Sequence, residues 1–442
     1  MFSWLPVLPA ALFDLALSLP RQWRMETTGF DLGIFEQAVR GYAGLGAPVA
    51  TLKATGFDLL GDHFSPLLAV LAPVYRLFPG AATLLVVQAL LLALSCGPVT
   101  GLAVQRLGRG RGVAIGLAYG LSWGLWTADR FDFHEVALAV PLAACATVAL
   151  ARERYRTAVS WAVPLLLVKE DQGLLLAGIG VYLCWRGQRR LGAATVLLAV
   201  AATALTVLVL VPALNPGGEY SYGANGAWHG ENPLGRLLLP GLKWQTVALL
   251  LAPTLFLALR SPLSLLAVLP LAARFWSPSE TYWEPTHHYN AVLMPVLFVA
   301  LVDGLHRLRD RRWLSRRAPA AALLLALAWA PLPCLSPPGP QLAVARQTLA
   351  VIPDGASVAA ANRLAPQLTN RCTVSLFPFL TAPGAAGPSW RPVAEWVAVL
   401  DDPDGFPVPT DQQRAAQDGL PQAGYRVVAV GGGVTVYHWR AG

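Results

Sequence analysis

Charge is what this 442-residue chain has least of: 13% of its residues are Asp, Glu, Lys or Arg, roughly half the ~25% of an ordinary soluble domain. With 55% hydrophobic residues and a mean hydropathy of +0.50, that shortage excludes disorder, a coiled coil and a nucleic-acid binder. It also argues against a string of soluble domains. Cysteine is scarce as well. Cys96, Cys145, Cys184, Cys334 and Cys372 show no CxxC spacing, and three lie in apolar runs, so neither a disulfide framework nor a zinc knuckle is supported. Walker, Gly-x-Ser-x-Gly and His-Glu-x-x-His motifs are all missing, which leaves no sign of ATP, a serine nucleophile or a zincin site.

What is plentiful is apolar runs. The net charge of +8 and pI near 9.5 come from basic residues in short clusters between those runs, a pattern of membrane topology. Run 5–19 has neither a basic n-region nor a small-residue cleavage site, so it reads as a retained first span. Asp14 within it is expected to face protein or water. Further runs cover 81–104, 113–127, 136–151, 157–168, 173–185, 191–211, 246–259, 263–276, 291–305 and 319–335, about eleven spans in all. Alternate connections hold 16 basic residues against 10 in the longer opposite set, while 14 acids fall in the latter. The positive-inside rule then puts the N-terminus in the cytoplasm and the tail outside.

The stretch 157–185 is interrupted by Lys169-Glu170-Asp171 and flanked on both sides by three arginines. Matching flanks require an even number of crossings. Twelve helical residues rise only about 18 Å against a hydrocarbon core of about 30 Å. The triplet is therefore expected below the outer surface, in a recess lined by water or protein.

Two parts are expected: a mainly α, polytopic transmembrane bundle over 1–335 with a long first outer loop at 20–80, and a small extracytoplasmic α/β domain over 336–442. The tail shows a helical pattern at 341–352 and β-like runs at 357–360, 372–377, 395–400, 425–430 and 434–437. The last two flank Gly431-Gly432-Gly433 and read as a hairpin, since no helix follows the glycines to make a phosphate loop.

The dense polar motifs all fall on the outer side. In Gly29-Phe30-Asp31-Leu32-Gly33-Ile34-Phe35-Glu36-Gln37, residues Ile34, Phe35, Ala38 and Tyr42 share one helical face, with Glu36 and Arg40 on the other. That pattern describes an interfacial helix with Asp31 at its start, either functional or simply stabilising the helix N-terminus. Gly61-Asp62-His63-Phe64-Ser65-Pro66 offers a second acid and an imidazole for a cation or phosphate, or a plain turn. Asp132, His134 and Glu135 crowd a very short loop, and His with carboxylates suits Mn²⁺ or Zn²⁺. Lys169 is a candidate partner for a lipid phosphate, or else neutralises Glu170 or Asp171. His287-His288-Tyr289-Asn290 leads into a span, with one histidine expected to face the recess. Residues 215–222 read as a flexible sugar-contacting flap or as a bland loop.

FDLGIFEQ at 30–37, GDHFSP at 61–66, DFHE at 132–135, KEDQG at 169–173 and His288-Tyr289 together resemble an uncharacterised bacterial family of polytopic membrane proteins, known chiefly as a domain of unknown function. The resemblance extends to SVAAANRLAPQLTNR in the tail. That family is in turn similar to the GT-C class of glycosyltransferases, which take sugars from polyprenyl-phosphate carriers. The resemblance implies Asp31 as general base, although Leu32 follows it where the class has a second acid, which leaves Asp62 and Asp132 as alternatives. It also implies Lys169, His63 or Arg274 as phosphate partners. His134, Glu135, Glu170, Asp171, His287, His288 and Tyr289 would line the substrate site, with a divalent Mg²⁺ or Mn²⁺ as an open addition. The implied partners are a polyprenyl-phosphate-linked sugar, a glycan or lipid acceptor and the bilayer. The competing readings are a transporter or lipid-carrier flippase, and a non-catalytic cell-envelope scaffold.

Overall fold

The computed structural model describes residues 2–223, 232–308, 312–334, 339–380 and 393–440. Arg309, Asp310 and Arg311 of the last basic connection, with Leu335 and Ser336 at the expected domain boundary, lie outside the described residues. The chain is mainly helical and separates into two compact units. One comprises 1–17, 60–67 and 86–333; the other comprises 18–59, 68–85 and 334–442.

Apolar helices make up the first unit. Val136–Ala151 is apolar around its whole circumference and nearly all of it is buried, as expected of a helix inside a bundle. Gly173–Trp185 is equally apolar and runs back along Arg189–Leu205. At their crossing, Gly180 and Gly192 bring the two backbones so close that a side chain on either would meet the opposite helix. Asp14 is buried, as expected for an ionisable group in an apolar helix.

Among the described residues, four helices are long and apolar enough to cross a membrane: Phe2–Trp23, Ala81–Leu107, Arg189–Leu214 and His288–Arg307. Other expected spans are shorter or broken. Tyr155–Ala162 passes into a 3₁₀ turn, Val163–Leu167, that carries Pro164. The run at 246–259 differs from expectation: its helix, Leu242–Leu251, stops before Leu255 and Phe256, which take left-handed conformations (φ 52 and 58).

The second unit carries a five-stranded sheet of order β2-β1-β3-β5-β4, with β1 Ser357–Ala360, β2 Thr373–Leu376, β3 Trp396–Leu400, β4 Tyr425–Gly431 and β5 Val434–Trp439. β1 is parallel to β2 and β3, whereas β5 is antiparallel to β3 and β4. Phe377, Val397, Val399, Leu420 and Tyr425 form its core. The turn at the glycine triplet is tight. Gly432 has φ 65, and a side chain there would strike the backbone of helix Pro340–Leu349 at Gln341 and Ala345.

Segments 18–59 and 68–85 belong to this same unit. Arg40 donates to the Thr369 and Cys372 carbonyls at 2.6 Å each, and Gln37 donates to the Val374 carbonyl at 2.8 Å. Helix Ile34–Ala43 is therefore packed into folded protein over its first half. Glu36, expected on a polar face, is fully buried instead. It finds hydroxyl partners there, as a buried carboxyl must.

Candidate functional site

Three of the sequence motifs meet in the first unit. The connection before Val136–Ala151 is short enough that Asp132 adopts a left-handed φ of 70, a conformation Asp tolerates better than most residues. Gln88, a single amide in an otherwise apolar helix, fixes this connection. Its Nε2 donates to the Asp132 carbonyl at 2.7 Å, and its Oε1 accepts from the His134 amide at 3.0 Å. Glu135 then points at Lys169, and the two form an ion pair of 2.8 Å with almost no exposed surface. The sequence offered Glu170 or Asp171 as the neutralising acid for Lys169. Glu135 fills that role, brought from 34 positions away.

Glu170 has different partners. Its Oε1 lies 2.8 Å from His63 Nδ1 and accepts from the Tyr220 hydroxyl at 3.1 Å, while Oε2 accepts from the Phe64 amide at 3.2 Å. The His63 ring stacks on Tyr222 at 4.6 Å, and the Tyr222 hydroxyl donates to Asp62 at 3.2 Å. Burial and the Lys169 ammonium pull the His63 pKa down. Glu170 and Asp62 outweigh them, so the imidazole sits above its ordinary value. Motifs 61–64, 132–135 and 169–171 thus form one buried network, and the tyrosines of the 215–222 loop are part of it.

Beside this network lies a cavity of about 340 Å³. Asp171, Arg274, Tyr220, Tyr222, Tyr282 and Tyr289 provide its polar wall, and Leu174, Leu175, Pro270, Val292 and Leu293 its apolar wall. Asp171 also accepts from Gln172 at 2.8 Å. Arg274 is 8% exposed and donates to the Tyr282 carbonyl (2.7 Å), the Tyr289 carbonyl (3.2 Å) and Asn290 Oδ1 (3.0 Å). All three acceptors are neutral. The guanidinium stands at the cavity wall with no carboxylate salt bridge among the described residues.

Both histidines of the 287–288 pair pack on Phe131, with ring centroids 4.6 and 5.6 Å away. His287 pairs with Glu284 at 2.6 Å. His288 is buried and stacks on His134 at 3.6 Å, with neither ring nitrogen hydrogen-bonded among the described residues. The polar groups of 61–64, 132–135 and 169–171 are largely satisfied by one another. Among the described residues no group of three or more His, Cys, Asp or Glu is arranged to hold a metal ion.

Asp31 belongs to the second unit. It is half-buried in Gly29–Gly33, a segment held where the Gly29 amide donates to the Asn362 carbonyl (2.7 Å) and the Phe30 amide to Asn362 Oδ1 (2.9 Å). The Phe30–Asp31 peptide is cis. Five residues on, Glu36 accepts from the Tyr75 hydroxyl at 2.9 Å and from Thr369 Oγ1. Burial drives its pKa up to about 7 against the opposing pull of those hydroxyls and Arg40.

Sequence reasoning did not find Gln88, although a lone Gln within an apolar run of that length was a usable signal. Asn290, adjacent to the expected histidines, likewise emerges as the acceptor that aims Arg274.

The fold resembles a solved one along nearly its whole length. The crystal structure of ArnT from Cupriavidus metallidurans, bound to undecaprenyl phosphate, matches with a TM-score of 0.59 over 98% of this chain and 97% of that one. Sequence identity is 14%, so the likeness is one of fold. A search of curated proteins finds no similar sequence. The family model described as "Predicted membrane protein (DUF2079)" matches residues 21–436, nearly the whole chain, and the protein belongs to that family.

Proposed function

We propose that the protein is a membrane glycosyltransferase that moves a sugar from a polyprenyl-phosphate carrier to an acceptor hydroxyl on the outer face of the membrane. The observation that carries this reading is the fold, shared end to end with a protein whose crystal structure holds undecaprenyl phosphate. The charged cavity adds support. Arg274 faces it without a carboxylate salt bridge among the described residues, which suits a guanidinium that receives a phosphate. On this reading the chain crosses the membrane about eleven times, with a cytoplasmic N-terminus and an outer tail.

In the reaction, the acceptor oxygen bonds to the sugar's anomeric carbon as the bond from that carbon to the carrier phosphate breaks. The electron pair leaves with the polyprenyl phosphate, and the hydroxyl proton passes to a carboxylate base. Asp31 is our first choice for that base, with Asp62 and Asp132 as alternatives. Asp62 already accepts from the Tyr222 hydroxyl, a bond it would share with the acceptor. Arg274 meets the departing charge. Lys169 reaches a phosphate only by sharing or giving up Glu135, and His63 only by leaving Glu170, so both serve chiefly to hold the network. Glu135, Glu170, Asp171, His134, His287, His288 and Tyr289 shape the pocket around the carrier headgroup.

The test is mass spectrometry of lipids that co-purify under mild extraction, paired with a transfer assay on a polyprenyl-phosphate sugar. Wild type should retain a polyprenyl phosphate or its glycoside, and Arg274→Leu should lose it. Asp31→Asn should keep the lipid while turnover falls by about 10²–10⁴. If Asp31→Asn turns over normally, the base is Asp62 or Asp132, and the same substitution there identifies it. Chelation by EDTA tests the divalent ion. If wild type enriches no polyprenyl lipid, the transferase reading fails and transport assays take its place.

A further inference from the structure

The end of the first unit away from Lys169 carries more positive charge than its own acids neutralise. Helix Val136–Ala151 has Glu135 before its first residue and Arg152 after its last, and Gly173–Trp185 runs from Gln172 to Arg186. At 1.5 Å per residue the arginines lie about 21–26 Å along these helices from the Lys169 network. They line a recess of about 670 Å³, formed by Arg106, Arg152, Arg154, Arg186 and Arg307 with Glu153 and Asp303. Both acids are already engaged. Asp303 takes Arg106 at 2.6 Å, Arg307 at 2.8 Å and the Ser261 hydroxyl at 2.6 Å, while Glu153 takes Arg186 at 2.5 Å.

Arg152 and Arg154 are left over. Among the described residues Arg152 reaches only the neutral Gln105, at 3.2 Å, and burial together with Arg154 and Arg106 lowers its pKa. Arg154 also lines a second recess, of about 900 Å³, where it joins Arg156, Arg189 and Arg190 and no acid is among the lining residues. None of those four guanidiniums has an acidic partner among the described residues. Topology alone accounts for arginines on these connections. It does not require two recesses that adjoin at a shared, unneutralised arginine. The helices beside them carry bare apolar surface, with Trp185 63%, Val181 56% and Leu197 70% exposed. Cationic recesses under such a face match the depth of phospholipid phosphates.

We propose that the adjoining recesses bind the headgroup of an anionic phospholipid with two phosphodiesters, one in each recess, while its acyl chains lie along the exposed faces of Gly173–Trp185 and Arg189–Leu205. This inference is independent of the transferase reading, because it concerns the other end of the bundle. The experiment uses the full chain, delipidated in detergent, with native mass spectrometry as the readout. The probes are cardiolipin, phosphatidylglycerol, phosphatidylcholine and inorganic pyrophosphate.

Cardiolipin should bind best and phosphatidylcholine worst, with about a tenfold difference between them. Arg154→Gln/Arg190→Gln should lose about tenfold in cardiolipin binding. Arg156→Gln/Arg189→Gln should lose a similar amount, so the test survives if one variant fails to fold. Arg316→Gln/Arg317→Gln, exposed on a helix that lines neither recess, should bind as wild type does. Equal binding of cardiolipin and phosphatidylcholine overturns the proposal. So does an equal loss in the Arg316/Arg317 variant, which would mean diffuse charge. Displacement of cardiolipin by millimolar pyrophosphate also overturns it, because the ligand would then be a soluble anion.

Discussion

Two buried glutamates, one in each unit, accept a hydrogen bond from a tyrosine hydroxyl, and they behave in opposite ways. Glu170 is also bonded to His63 and the Phe64 amide and lies next to Lys169, so cationic and amide donors surround it. Among the described residues Glu36 has only the Tyr75 and Thr369 hydroxyls, with the Arg40 charge acting from outside contact, and burial raises its pKa to about 7. Burial is similar in the two cases; the donors differ. A carboxylate is retained in a protein interior where cations and amides compensate its lost hydration, and hydroxyls alone fall short.

Removing the better-compensated acid should therefore do the most damage. Glu170→Ala leaves His63, the Phe64 amide and Tyr220 without their shared acceptor, and a buried charge deprived of its partner costs about 3–5 kcal/mol. The detergent-solubilised variant should melt far below wild type or fail to accumulate. A melting temperature within a degree or two of wild type would mean that the network is ornamental.

Glu36 makes the second prediction, and it is one of pH. Its folded-state pKa lies above the ordinary 4.5, so the folded protein holds an extra proton between the two values. Stability should fall as pH rises from about 4.5 to about 7 and then level off, a loss of about 3 kcal/mol from this group. Glu36→Gln should flatten that part of the profile and melt higher than wild type at pH 8. Thermal melts of both proteins from pH 5 to 8 measure it. A wild-type profile that Glu36→Gln leaves unchanged would remove Glu36 as the cause.

Much of the fold was legible because continuous apolar runs have few ways to be satisfied. Residues 136–151 and 173–185 were read with the ends they have in the structure, and the glycine triplet was read correctly as the hairpin turn between β4 and β5. Helix Thr410–Gly419 was missed, since TDQQRAAQDG has no apolar stripe to betray it. The candidate site was legible as motifs and illegible as pairs. Spacing along a chain says which acids are near Lys169 in sequence, whereas the Glu135 contact depends on how two helices pack. Glu36 was misread for a related reason: a helical wheel assigns a polar residue to water unless some other segment supplies its donors, and here Tyr75 and Thr369 do.

That Glu135–Lys169 contact offers a third test, smaller than the first two. If the pair is chiefly self-neutralising, Glu135→Gln and Lys169→Met should each destabilise, and the double variant should recover part of the loss. The expected coupling is about 1–3 kcal/mol, read from melts of all four proteins. Additive losses would instead mean that Lys169 is held by Glu170 and Asp171 collectively, and that Glu135 is a bystander.

The finest test removes a single oxygen from each side of the comparison. Tyr220→Phe deletes one of three donors to Glu170, and His63 and the Phe64 amide remain. Its cost should be about 1 kcal/mol and the same at pH 6 and pH 8, because the carboxylate stays ionised throughout. Tyr75→Phe deletes one of the two donors to Glu36 among the described residues. At pH 5 Glu36 is protonated and asks little of Tyr75, so the cost should be well under 1 kcal/mol; at pH 8 the carboxylate needs that hydroxyl, and the cost should rise to about 1–2 kcal/mol. The measurement is the difference in melting temperature from wild type for each variant at both ends of the range. Curves that run parallel for the two variants would show that hydroxyl count, and not the charge of the donors, separates the two glutamates.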